Sequence, residues 1–346
     1  MKKIALAAAV ASALTAGVAN AYNLNQEATG LVVPNVIHNG SSFTTAVGLV
    51  SRAATNVYWV FFDENSNHVA DGQFSLTAND QHAFIWSSAS GIGLENTRGY
   101  LVFTADNNGT LTDGEAINLM SGNAFQVNTT AKDVEFIPTI PLVANANMGA
   151  TVAAAATSDY VITAPLNLTT MSGSSIQSAR MTGVDHGDRL DMRYFIDNAT
   201  GGNDTTIAFW NADELTGTPV TYTANMYNDA QARQSINFTL PKKNMNAIDV
   251  ETIVGRPAAF LDGFIELTLG TGTAQPGLRV GAIGVGADGA TATAVGDNCA
   301  VHYTMETLVA GDTAAPYTNC VGGVMAYSRV SSTAFGAVQT LMAAHD

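Results

Sequence analysis

The chain has 346 residues and sets 14 Lys and Arg against 29 Asp and Glu, a formal net charge of −15. So acidic a surface repels nucleic acid and anionic lipid, which excludes an electrostatic route to either partner. Only 12% of the residues are charged; the good surface-helix formers Lys, Glu and Arg are scarce, which excludes an architecture of long solvent-facing helices.

The first segment is an export signal. Lys2 and Lys3, the apolar run from Ile4 to Val18 and the small-x-small stretch Ala19-Asn20-Ala21 have the three-part layout of a secretory signal peptide over residues 1–21, with the mature chain starting at Tyr22. The run is short and alanine-rich for a membrane span. No Cys stands at the cleavage site, which argues against a lipid anchor, and no second long apolar stretch follows. Loss of Lys2 and Lys3 leaves 12 basic against 29 acidic residues, or −17. The mature protein is expected outside the cytoplasm, extracellular or at the cell surface, with the periplasm open as well. It is expected to carry no transmembrane segment.

Beyond residue 21 the pattern is that of strands. Val57 to Phe62 is apolar throughout, which suits a central strand covered on both faces. Phe74 and Leu76, then Ile236, Phe238 and Leu240, then Ile265, Leu267 and Leu269 alternate with polar residues, the period of a strand with one buried face. Asp63-Glu64-Asn65-Ser66-Asn67 reads as a turn cluster.

Internal similarity organises these strands. Ile37-His38-Asn39 resembles Ile196-Asp197-Asn198, and Thr44-Thr45 resembles Thr205-Thr206. Phe74-Ser75-Leu76-Thr77 matches Phe238-Thr239-Leu240-Pro241, and Gly99-Tyr100-Leu101-Val102 matches Gly263-Phe264-Ile265-Glu266. The offset drifts only from 159 to 164. Ala124-Phe125 then pairs with Ala334-Phe335 at an offset of 210, implying a 46-residue insertion within about residues 270–320 of the second unit. The expected fold is all-β, with two tandem β-sandwiches, immunoglobulin-like or jelly-roll-like, from an internal duplication. The first unit spans 22–145 and the second 146–346, with Asn145 to Ala156 at the junction.

Chemistry-bearing motifs are few. The chain lacks G-x-S-x-G, H-E-x-x-H, a Walker loop and C-x-x-C. Gly281 to Gly289 is glycine-rich but has no following helix to face a phosphate. Asp185-His186-Gly187-Asp188 with Asp191 has the donors for a general base or a metal site, and equally reads as a polar turn before the strand at Leu190. Asp106, Asn108, Thr110 and Asp113, with Glu115 behind, set oxygen donors at near-alternate positions suited to calcium. Asp63, Asn65 and Asn67 do likewise; neither loop completes an EF-hand, and Asp and Asn also simply favour turns. Cys299 and Cys320 lie in the exported part, where one disulfide is expected. It would close a loop of roughly 20 residues and contribute roughly 3 kcal/mol. The aromatic clusters Tyr58-Trp59, Phe61-Phe62 and Phe84-Ile85-Trp86, with Trp210 in the matching strand, have strand spacing and are expected in the core; exposed, they would stack on sugars.

The sequence is therefore read as a secreted or cell-surface structural or interaction protein without catalytic residues. Its partners are itself, in a homo-oligomer or surface assembly, or an extracellular protein or glycan, met through the Cys299–Cys320 loop. A glycan-binding module or adhesin is the alternative, and a secreted hydrolase the third reading.

Overall fold

The computed structural model describes residues 27–28, 30–105, 120–144, 160–162, 176–178, 189–197, 202–211, 218–268, 324–332 and 337–345. The chain is all-β. The first part carries β1 (Gly30–Val36), β2 (Phe43–Ser51), β3 (Thr55–Asp63), β4 (His68–Leu76), β5 (Asp80–Ile85), β6 (Gly99–Thr104), β7 (Met120–Asn128), β8 (Asp133–Ile137) and β9 (Ile140–Ala144). Two short strands follow, β10 (Tyr160–Ile162) and β11 (Ile176–Ser178). The rest carries β12 (Arg189–Phe195), β13 (Asn203–Asn211), β14 (Val220–Asn228), β15 (Arg233–Leu240), β16 (Met245–Asp249), β17 (Asp262–Thr268), β18 (Val324–Ser332), β19 (Ala337–Met342) and β20 (Ala344–His345).

These strands form four sheets. Sheet I has the order β5-β2-β7-β8, sheet II β11-β10-β9-β1-β6-β3-β4, sheet III β16-β13-β18-β19 and sheet IV β15-β14-β17-β12-β20. Three apolar layers join them in a stack. Sheets I and II enclose Leu31, Val47, Leu49, Trp59, Phe61 and Trp86. Sheets III and IV enclose Met192, Tyr194, Phe209, Phe238, Ile265 and Leu267. Between the two sandwiches, the other face of sheet II packs Val32, Val60, Phe62, Tyr100 and Val102 on Trp210, Met245, Met325 and Tyr327 of sheet III. Sheets II and III are thus covered on both sides, which is why β1 and β6 are buried at every position and why the run Val57 to Phe62 lacks alternation.

The two halves repeat one topology. The order β5-β2-β7-β8 recurs as β16-β13-β18-β19, and β4-β3-β6-β1-β9 recurs as β15-β14-β17-β12-β20. Side chains repeat with it. Thr45 Oγ1 donates to Ile37 O (2.9 Å) and accepts from Ile37 N (3.1 Å); Thr205 Oγ1 donates to Phe195 O (2.6 Å) and accepts from Phe195 N (2.9 Å). A Cβ on Gly99 would lie 1.9 Å from Phe62 O, and one on Gly263 1.8 Å from Tyr227 O; only glycine lets those strands close.

This register corrects two details of the sequence match. Thr45 answers Thr205, so Thr44-Thr45 aligns one residue away from the match drawn above. Met120 ends the β2–β7 ladder opposite Ser51, as Val324 ends the β13–β18 ladder opposite Asn211. The offset there is 204 (324 minus 120), so the extra length in the second half is 40 residues (204 minus 164), and Ala124 answers Ser328, both of them across from equivalent residues, Val47 and Ile207. Ala334 and Phe335 lie outside the described residues. Strands β10 and β11, in the stretch expected to open the second unit, extend the first unit's sheet through the parallel β9–β10 pair.

Candidate functional site

The densest polar constellation lies where sheets I, II and III meet. The ladder of β1 shifts register between Val33 and Val36, and within that bulge Asn35 takes a left-handed conformation (φ 57), in which a non-glycine residue is strained. Its buried amide donates to Tyr327 Oη of sheet III (2.9 Å), its side-chain oxygen accepts from Arg98, and its carbonyl accepts from Gln126 Nε2 of sheet I (2.6 Å). Beside Gln126 in the ladder stands Glu135, whose Oε2 takes the Arg329 Nε proton of sheet III at 2.6 Å. Glu135 Oε1 has no hydrogen-bond partner among the described residues. Burial raises the Glu135 carboxyl above its ordinary range, against the pull of Arg329 and Arg98. Thr340 Oγ1 donates to Phe136 O (2.6 Å). At the rim Glu64 receives Lys242 Nζ (3.2 Å), and its carbonyl accepts from Asn244 N (3.0 Å) and Met245 N (3.2 Å). Every one of these bonds except those to Arg98 and Gln126 crosses between the halves. The cluster fixes the angle of sheet III on sheet II; its polar groups face one another.

A second constellation looks catalytic and is not arranged for it. Ser90 Oγ lies 2.9 Å from His38 Nε2, and both residues are buried. His38 Nδ1, however, accepts the Gly40 N–H at 3.3 Å. A neutral imidazole that accepts at Nδ1 carries its proton on Nε2, so Nε2 donates to Ser90 and has no lone pair for the serine proton. The pair ties the β1–β2 connection to the segment after the short helical turn Trp86–Ala89.

Of the residues singled out from sequence, Asp106, Asn108, Thr110 and Asp113, Cys299 and Cys320, Gly281 to Gly289, and Asp185 to Asp188 all lie outside the described residues. The loop of Asp63 is described. Asp63 Oδ1 accepts from the backbone of Asn65 (2.8 Å) and Asn67 (2.9 Å), and Oδ2 accepts from Asn67 Nδ2 (2.8 Å). These bonds close the turn with the oxygens a cation would need. No group of three or more His, Cys, Asp or Glu among the described residues converges as a metal site. Within the aromatic clusters Trp59, Phe61, Phe62, Phe84, Trp86 and Trp210 are buried in the core, Tyr58 is half-buried and Ile85 is exposed.

The stack leaves two sheet faces turned outward, one on sheet I and one on sheet IV. Since Val47, Leu49, Phe84, Ala124 and Ile137 point inward, strand alternation turns Ala46, Gly48, Val50, Gln81, Ala83, Ile85, Ser121, Asn123, Phe125, Val127, Val134 and Phe136 outward. This set contains no charge. Ile85, Ala46, Phe125 and Phe136 stand side by side in one cross-strand row, and Val50, Ile85 and Val134 are exposed. Phe125 and Phe136 meet edge to face at 5.8 Å.

The outward face of sheet IV is mixed. Arg193, Phe264, Tyr227 and Arg233 form one row, and Asp191, Glu266, Asn225 and Ser235 the next. Arg233 Nε donates to Asn225 Oδ1 (3.0 Å), Asn225 Nδ2 to Glu266 Oε1 (2.9 Å), and Arg193 pairs with Asp262 (2.5 Å). Tyr227 and Phe264 stack at 4.8 Å with 14° between their planes. Their faces are turned to each other, whereas a sugar platform presents a ring face to solvent. Sequence reading missed both faces. The one local signal was Phe125 and Val127 alternating with buried Ala124, which makes β7 apolar on two sides.

No family model matches the chain, and no curated protein matches it. A solved structure of allantoicase aligns with 71% of this chain and 89% of that chain at 10% identity and a TM-score of 0.16, a likeness that carries no argument about fold or activity.

Proposed function

We propose that the protein is exported and works outside the cytoplasm as a structural, contact-making protein. The observation that supports this reading is the uncharged outward face of sheet I on a chain of net charge −15. A surface kept only for solubility would carry Asp and Glu there as elsewhere; exposed apolar area rimmed by polar residues marks an interaction site. The four-layer stack supplies the rigid support on which such a face acts. In the same proposal a Cys299–Cys320 bridge pins a presented loop, and Asp106 and its neighbours take calcium.

Cell fractionation with N-terminal sequencing tests the reading. The chain is expected beyond the inner membrane, beginning at Tyr22; an intact Met1 chain in the cytoplasm overturns it. Mass spectrometry of the same material without reductant should read a mass two hydrogens below the dithiol form. A glycan-binding role finds less support, because the half-buried aromatic pair on the outward face of sheet IV stacks on itself.

A further inference from the structure

The contact between the halves is polar in direction. Call the sheet of order β5-β2-β7-β8 the front of the first sandwich; its topological counterpart, sheet III, is the front of the second. Sheet II and its counterpart sheet IV are the backs. The stack runs front, back, front, back, and the back of the first sandwich packs on the front of the second. Among the described residues, two faces of the same kinds are turned outward at the ends: a front on sheet I and a back on sheet IV.

The aromatic pair follows the topology, and the rest of the two outward faces departs from it. On sheet II, Phe62 and Tyr100 stack at 5.2 Å, and Trp210 of sheet III meets Tyr100 edge to face at 5.9 Å. On sheet IV, Tyr227 and Phe264 occupy the equivalent ladder positions, stacked at 4.8 Å, on the outward side. The counterpart of Trp210 on sheet I is Val50, which is exposed. The row Ile85–Ala46–Phe125–Phe136 on sheet I answers the polar row Asp249–Thr206–Arg329–Thr340 on sheet III. The half-buried polar row serves the junction inside the chain; its counterpart, half-buried except for the exposed Ile85, is apolar.

We propose that the partner of these faces is a second copy of the chain. The outward back of sheet IV in one copy packs on the outward front of sheet I in the next, repeating between molecules the contact that joins the halves. Such a contact uses two different patches at opposite ends of the layers, so it propagates into a linear stack and does not pair off as a symmetric dimer. An uncharged front is also the place where copies of a strongly acidic chain meet with least repulsion. Four strands spaced by about 4.8 Å and rising about 3.4 Å per residue give a footprint of roughly 300–600 Å², below the ~800 Å² per partner of a standard interface. Association is accordingly expected to be weak, concentration-dependent and strengthened by salt. The inference rests on the contact-making role proposed above.

The test is sedimentation velocity of the mature chain over a concentration series in moderate salt, with Phe125→Asp and Tyr227→Asp. The wild type should form species growing beyond the dimer, and each variant alone should lose at least tenfold in association. Mixed together, the two variants should form dimers and no larger species, because one keeps an intact back and the other an intact front. Circular dichroism checks folding; if either variant misfolds, Val50→Glu and Phe264→Ser take their places with the same expectations. A wild type that stays monomeric throughout, closed dimers, or assemblies indifferent to both substitutions overturn the proposal. A monomer recovered outside the cytoplasm refutes self-stacking alone, whereas a cytoplasmic chain refutes the role on which it rests.

Discussion

The paired threonines give the sharpest test of the repeated topology. Thr45 and Thr205 are fully buried, and each hydroxyl serves one backbone N–H and one C=O of the segment ending the preceding strand. Thr45→Val and Thr205→Val keep the side-chain shape and leave two backbone groups without that partner. At about 1–3 kcal/mol for each unsatisfied buried group, allowing for relaxation, each substitution should destabilise by about 2–4 kcal/mol. The methyl that replaces Oγ1 must also move from a carbonyl 2.6 Å away at Thr205 and 2.9 Å away at Thr45, so Thr205→Val should lose slightly more. Thr→Ser at either position keeps the hydroxyl and should cost about 1 kcal/mol or less, the value of one buried methyl group. Urea unfolding followed by tryptophan fluorescence measures all four variants. If either valine variant loses less than about 0.5 kcal/mol, or if serine and valine behave alike, the hydroxyl is not the tie between those segments.

Two further outcomes follow from the junction of the halves. Trp210→Ala empties a large buried site between sheets II and III and should destabilise by about 3–5 kcal/mol; a change under about 1 kcal/mol in the urea midpoint analysis would mean that the halves do not pack there. Glu135 has a folded-state value raised mainly by burial. Its contribution to stability is therefore complete below its unfolded value and is lost as pH rises through the raised folded one. Glu135→Gln should remove that loss, so the variant gains on the wild type as pH rises above the ordinary glutamate value of about 4.3; a wild type that gains on the variant as pH rises from there refutes the desolvation account.

Strand existence was legible because burial imposes a period. Ile236, Phe238 and Leu240 alternate since sheet IV has one covered face, and Val57 to Phe62 does not because sheet II has two. The extra length of the second half differs from the expected 46 residues because Ala-Phe is a short and common pair, whereas the ladders place Ser328 opposite Ile207 where Ala124 stands opposite Val47. Thr44-Thr45 slipped by one for a related reason, since a repeated threonine leaves its register undefined until the bonds to Ile37 are seen. The outward faces were illegible in a different way. Ile85, Ala46, Phe125 and Phe136 come from four strands that the ladders bring into one row, and register between distant strands is written in no local pattern. Asn35, whose side chain and carbonyl engage all three sheets at their meeting point, reads in sequence as an ordinary polar residue inside an apolar run.

Sheets covered on both sides also set a timetable for synthesis. The strands of sheet II that pack on sheet III, β1, β3, β6 and β9, have all been made by residue 144, but the sheet that covers them needs β18, which begins at residue 324. The 179 residues between them (145 to 323) take roughly 10–40 s to translate. For that interval Val32, Val60, Phe62 and Val102 lack their completed partner sheet, so the growing chain needs a holdase more than the finished protein does.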